Sequence, residues 1–108
     1  MVVPRGSAEV KFTRSGDSVQ VELLSYEAPS LQELVGKRKV GPIQDWRSVV
    51  DAVFLDTDFK GGEFRIETLD APVRADATVK GIYRVRTKGK IAVRVMDVFG
   101  GADCVVEP

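Results

Sequence analysis

The run Lys90-Ile91-Ala92-Val93-Arg94-Val95-Met96-Asp97-Val98-Phe99-Gly100-Gly101 constrains the fold more than any other stretch of this chain. In an extended backbone Ile91, Val93 and Val95 point one way while Lys90, Ala92, Arg94 and Met96 point the other. This is the period-two pattern of a half-buried β-strand, closed by a pair of glycines. Such a strand needs hydrogen-bonding neighbours and a cover for its apolar side, and the rest of the sequence offers both.

Val10 and Phe12 alternate weakly over 8–13, Arg14-Ser15-Gly16-Asp17 supplies turn residues, and Val19, Val21 and Leu23 resume the period, which predicts a β-hairpin. Pro29-Ser30-Leu31-Gln32-Glu33 has capping-box spacing, with Ser30 and Glu33 bonding reciprocally and Gly36 suited to a C-terminal stop, so one short helix is expected. Lys37-Arg38-Lys39 and Gly41-Pro42 follow as a basic loop.

Trp46, Val49, Val50 and Val53 fit helical spacing, but β-branched and aromatic enrichment favours a strand from about Asp51 to Phe59 after at most one helical turn. Trp46 reads as a core anchor. Glu63 to Leu69 gives another strand with Phe64 and Ile66 inward, and Pro72 interrupts. Ala77 to Val85 gives a further strand that turns at Thr87-Lys88-Gly89 into the opening run, and Asp103 to Val106 adds a short edge. The expectation is a mainly β protein, an antiparallel immunoglobulin-like β-sandwich with one short helix. A partly open barrel would give a similar pattern.

A chain of 108 residues is one domain. Val3-Pro4-Arg5-Gly6-Ser7 reads as the remnant of an engineered protease site, so residues 1–7 are set aside and 8–108 are assigned to the sandwich. Acidic and basic residues balance at 16 each, so no global field steers the protein to a polyanion and any such contact must be local. The complete lack of histidine removes Ser-His-Asp and Cys-His catalysis and the commonest metal ligand. No cofactor or metal is expected, and no catalytic residue is assigned.

The single cysteine, Cys104, can form neither an internal disulfide nor, without histidines, a zinc site. It reads as a small buried or half-buried hydrophobe in a reducing compartment. No run approaches the roughly 18 apolar residues of a membrane span and no signal peptide is visible, so a cytoplasmic protein without membrane contact is expected.

Val95-Met96-Asp97-Val98-Phe99-Gly100-Gly101 invites comparison with a methyltransferase cofactor loop, but such a loop needs a following helix and a parallel sheet, and the chain runs only to Pro108. No Pro-Pro-aromatic catalytic loop and no Gly-x-x-x-x-Gly-Lys phosphate loop is present. Instead, Lys90 to Gly100 resembles the last long strand of the small C-terminal domain in site-specific, adenine-specific DNA methyltransferases of restriction-modification type. Ala52-Val53-Phe54-Leu55-Asp56-Thr57-Asp58-Phe59-Lys60-Gly61-Gly62-Glu63-Phe64 resembles that domain's central Asp-x-Asp-aromatic strand and turn, and Val19 to Pro29 resembles its Val-x-Val strand followed by a proline. Val53 and Thr57 stand where that family strand carries aromatics, and the Gln/Arg-rich segment after Phe64 is shortened to Arg65 to Thr68. The strand pattern also resembles polycystic-kidney-type and other immunoglobulin-like modules. The resemblance implies a non-catalytic accessory domain that contacts double-stranded DNA or docks other domains or subunits of its parent protein. The other reading is a protein-interaction module with no nucleic-acid role.

Lys80 to Arg94 holds six cations and no acid. A hairpin across Thr87-Lys88-Gly89 would gather Arg84, Arg86, Lys88, Lys90 and Arg94, with Lys37, Arg38 and Lys39 as a second contact for a phosphate backbone. The same residues also suit a solvated face whose lysines guard a sheet edge. Asp56, Asp58, Asp97 and Asp103 could gather as calcium ligands, but carboxylates at strand ends more often form turns.

Overall fold

Two alternating runs, Val19-x-Val21-x-Leu23 and Val93-x-Val95, lie on the facing inner sides of two antiparallel sheets. A computed structural model describes residues 6–28, 49–72 and 78–108. Seven strands follow in chain order: β1 (Ser7–Ser15), β2 (Ser18–Glu27), β3 (Val50–Asp56), β4 (Thr68–Asp70), β5 (Ile82–Arg86), β6 (Ala92–Asp97) and β7 (Ala102–Val106). One sheet has the order β1-β2-β5 and the other β4-β3-β6-β7. The chain therefore crosses between sheets after β2, β4 and β5, the connectivity of an immunoglobulin-like sandwich.

The core is aliphatic. Val19, Val21, Leu55, Ile91, Val93 and Val95 are sealed from solvent, each contributing up to about 1.5–3 kcal/mol of burial. Two bulges set which residues join them. In the β1–β2 ladder Glu9 faces Ser25 and Val10 faces Leu23, which leaves Leu24 as the extra residue on β2. Inward positions therefore pass from 19, 21 and 23 to Tyr26 and Ala28, while Leu24 itself is exposed. In β3 the ladder skips Asp51, which likewise brings Val50 into phase with Val53 and Leu55.

The expected sandwich and first hairpin are present, the latter turning at Gly16 with φ 63°. Other expectations need correction. The strand expected to reach Phe59 stops at Asp56, whose Oδ1 accepts the Asp58 amide and whose Oδ2 accepts the Arg65 amide, folding the chain back. Between Glu63 and Leu69 only the end, from Thr68, is strand, and Ile66 is exposed rather than inward. Phe64 is half-buried on the outer side, beneath Arg94. The strand expected over Ala77–Val85 runs instead from Ile82 to Arg86.

β5 and β6 do not pair as a hairpin. The Thr87 amide bonds the Asp17 carbonyl, extending the β2–β5 side, while the Lys90 carbonyl accepts the Phe59 amide, opening the β3–β6 side. The intervening loop thus crosses between sheets. Cys104 is exposed on β7, not buried. Ser7 opens β1 and Gly6 lies so close to the Tyr26 ring that a side chain there would collide with it, so both belong to the sandwich although they were set aside. The expected short helix, Trp46 and the basic trio Lys37, Arg38 and Lys39 lie outside the described residues.

Candidate nucleic-acid interface

Along β5, Tyr83 and Val85 face the core, so Arg84 and Arg86 stand on the outer side of the three-stranded sheet. Their cross-strand neighbours on β2 are the uncharged Gln20 and Ser18. β5 pairs only with β2 among the described residues, which makes it an edge. Lys88 and Lys90 are exposed in the loop that follows.

That loop is held rigidly. The Thr87 hydroxyl donates to the Thr57 carbonyl at 2.6 Å and accepts the Gly89 amide at 2.9 Å. Gly89 packs so closely on the β3–β4 turn that a Cβ there would sit 2.4 Å from Asp58 Oδ1 and 3.0 Å from Asp58 Cα. Arg14, at the end of β1, completes the brace. Its Nε and Nη2 form a two-point ion pair with Glu107 Oε2 and Oε1 at 3.0 and 2.9 Å. Its remaining N–H groups reach the carbonyls of Thr87 and Gly89, both at 2.7 Å, and of Gly16 at 3.4 Å. All five guanidinium protons are thereby engaged. The hydrogen bond to Arg14 holds the Glu107 carboxyl below its ordinary range against the opposing effect of burial, and the same bond raises the Arg14 guanidinium.

Between these elements lies an open groove of about 620 Å³ lined by Phe12, Arg14, Gly16, Lys88, Gly89, Lys90, Glu107 and Pro108. From sequence Arg14 is only a turn residue, and nothing in its neighbourhood marks it as a cross-sandwich strut, because its partners Thr87, Gly89 and Glu107 lie more than seventy residues away.

Arg94 is separated from this group. It sits on the outer face of the opposite sheet, across from Phe54 and Cys104, with its guanidinium 4.8 Å from the Phe64 ring centroid. The register places Ala52, Met96, Ala102 and Leu69 on the same face, where Arg94 is an isolated exposed charge. Arg84 and Arg86 thus share the outer side of β5, Lys88 and Lys90 lie in the crossing loop beside the groove, and Arg94 stands on the outer face of the other sheet.

The aspartates act as turn-formers. Buried Asp97 accepts the Phe99 and Gly101 amides on Oδ1 and the Tyr26 hydroxyl on Oδ2. Asp103 accepts the Ala8 amide, tying β7 to β1, and Asp70 accepts the Tyr83 hydroxyl. Among the described residues no group of three or more His, Cys, Asp or Glu is placed to hold a metal, and no helix is long and apolar enough to cross a membrane. Comparison with protein-family models, curated proteins and solved structures finds no match.

Proposed function

We propose that this sandwich is a non-catalytic accessory domain of a DNA methyltransferase-type protein of restriction-modification kind, contacting the backbone of double-stranded DNA through β5 and the loop after it. The observation that carries the DNA contact is the exposed Arg84 and Arg86 on an edge strand with exposed Lys88 and Lys90 in the loop after it, a segment without carboxylates. Phosphate contacts of this kind position a protein on DNA without reading sequence. The family part rests on the resembling segments, which fall on β2, β3 with its turn, and β6, the interior strands of their sheets. Their aspartates serve turns and inter-sheet ties, in keeping with motifs that carry structure rather than chemistry.

Duplex binding measured against salt tests this reading. Four phosphate contacts give a slope of log K on log salt of about −3 to −4, and R84E/R86E reduces its magnitude by about 2. Binding that does not change between low and moderate salt overturns it. A reading frame upstream of Ala8 that encodes a Pro-Pro-aromatic catalytic loop would support the methyltransferase assignment.

A second reading, a protein-interaction module, draws on the other sheet, where Phe54, Leu69 and Met96 surround Arg94 on the outer face and Leu69 is 58% exposed. In that case R84E/R86E leaves partner docking intact, and changes at Leu69 and Arg94 abolish it.

A further inference from the structure

We infer that the groove between the β1–β2 turn and the loop after β5 is a phosphate-binding site for one phosphodiester of a nucleic-acid strand, seated by Lys88 and Lys90. The inference rests on the DNA-backbone reading above and adds a defined place for one contact.

The charge balance of the groove carries it. Three cationic side chains and one side-chain carboxylate line a space of about 620 Å³. Arg14 and Glu107 cancel each other in a two-point ion pair, and Arg14 has no proton left for a ligand because its other donors hold the carbonyls of Gly16, Thr87 and Gly89. Glu107 is equally committed, since its Oε1 also accepts the Ile91 amide. The surplus positive charge therefore lies with Lys88 and Lys90, neither of which has an ion-pair partner among the described residues, although the Lys90 charge also acts on Glu107. Both lysines line the same groove.

The site is also preorganised. Gly89 is pinned by Thr87 and by contact with Asp58 and Thr57, and Arg14 grips the carbonyls on both sides of Lys88. Little backbone entropy then remains to be lost when an anion is held. Phe12 supplies an apolar wall against which the sugar of the same nucleotide can rest. The openness of the groove suits a strand passing through it rather than a small molecule enclosed by it.

The test is an amide-resolved NMR titration of the intact protein with three probes: inorganic phosphate, a 5′-phosphorylated single-stranded trinucleotide, and a duplex of about 12 base pairs. Saturable shifts at Lys88, Gly89 and Lys90 are expected with both oligonucleotides, with affinity at least about tenfold weaker in K88E/K90E and retained in K88R/K90R and in the outer-face control K11E. Shifts with inorganic phosphate at the same residues, and none with the oligonucleotides, overturn the strand assignment. Groove shifts that persist in R84E/R86E after duplex affinity has fallen support the site independently of the β5 contact. Duplex binding that R84E/R86E removes and K88E/K90E leaves unchanged overturns the groove and leaves the β5 reading standing.

Discussion

The Tyr26 hydroxyl donates to Asp97 Oδ2 at 2.7 Å, joining the end of β2 in one sheet to the end of β6 in the other. The bond exists because the bulge at Leu24 turns Tyr26 inward, and because Asp97 is held facing it by the amides of Phe99 and Gly101. Burial and then the bond to Asp97 push the tyrosine's ionisation well above its ordinary range.

Removing this tie destabilises the fold. Tyr26→Phe is expected to cost about 1.5–3 kcal/mol, the range for a hydrogen bond to a charged group. Asp97→Ala also strands the two turn amides and costs about 3 kcal/mol or more. Urea unfolding followed by intrinsic fluorescence measures both, and an Asp97→Ala protein as stable as its parent would contradict the assignment.

Alkaline stability follows from the two buried tyrosines. Tyr83, like Tyr26, is raised chiefly by burial and then by its bond to a carboxylate, here Asp70. A group whose folded pKa lies above its unfolded value contributes stability that is complete below the unfolded value, near 10, and is lost as pH rises beyond it. Thermal unfolding is therefore expected to shift to lower temperature above about pH 10. Tyr26→Phe should flatten that decline, and Tyr26→Phe with Tyr83→Phe should largely remove it.

The Arg14–Glu107 pair sets the acid limb. Glu107 is lowered from its ordinary 4.5, so its contribution is present above that value and disappears as pH falls through the depressed folded value. Glu107→Gln should be less stable than the parent at neutral pH and should show a smaller loss below pH 4.5. Parallel acid titrations of the two proteins by circular dichroism make the comparison, and identical acid limbs would count against the pair.

Gly89 is required by its neighbours. A methyl group there meets the Asp58 side chain at 2.4 Å and backbone atoms of Asp58 and Thr57 at 3.0 Å, so Gly89→Ala is expected to cost about 1–3 kcal/mol. Gly62, with nothing within 4 Å, serves as the control, and Gly62→Ala should stay within about 0.5 kcal/mol.

Strand patterning was legible where one side of a strand is apolar without interruption. Val19, Val21, Leu23, Val93 and Val95 announce their inward side because the period of two is a property of the extended backbone itself. The bulges were not legible, since a single extra residue leaves composition unchanged and only the cross-strand ladder reveals the phase shift. Phe64 and Ile66 were misassigned for a related reason: Asp56 folds the chain back before them, and alternation has no meaning in a segment that is not extended.

The candidate interface divides in the same way. That Arg84 and Arg86 share an outward side follows from local alternation with Tyr83 and Val85, and the sequence alone determines it. Whether β5 and β6 are neighbours depends on hydrogen bonds to Asp17 and Phe59, residues far away in the chain, and only the tertiary structure decided it. β5 pairs with β2 and β6 with β3, which leaves Arg94 on the outer face of one sheet and Arg84 and Arg86 on the outer face of the other. Side-chain direction is fixed by the geometry of neighbouring residues, whereas sheet membership is fixed by pairing across long loops, which local pattern does not encode.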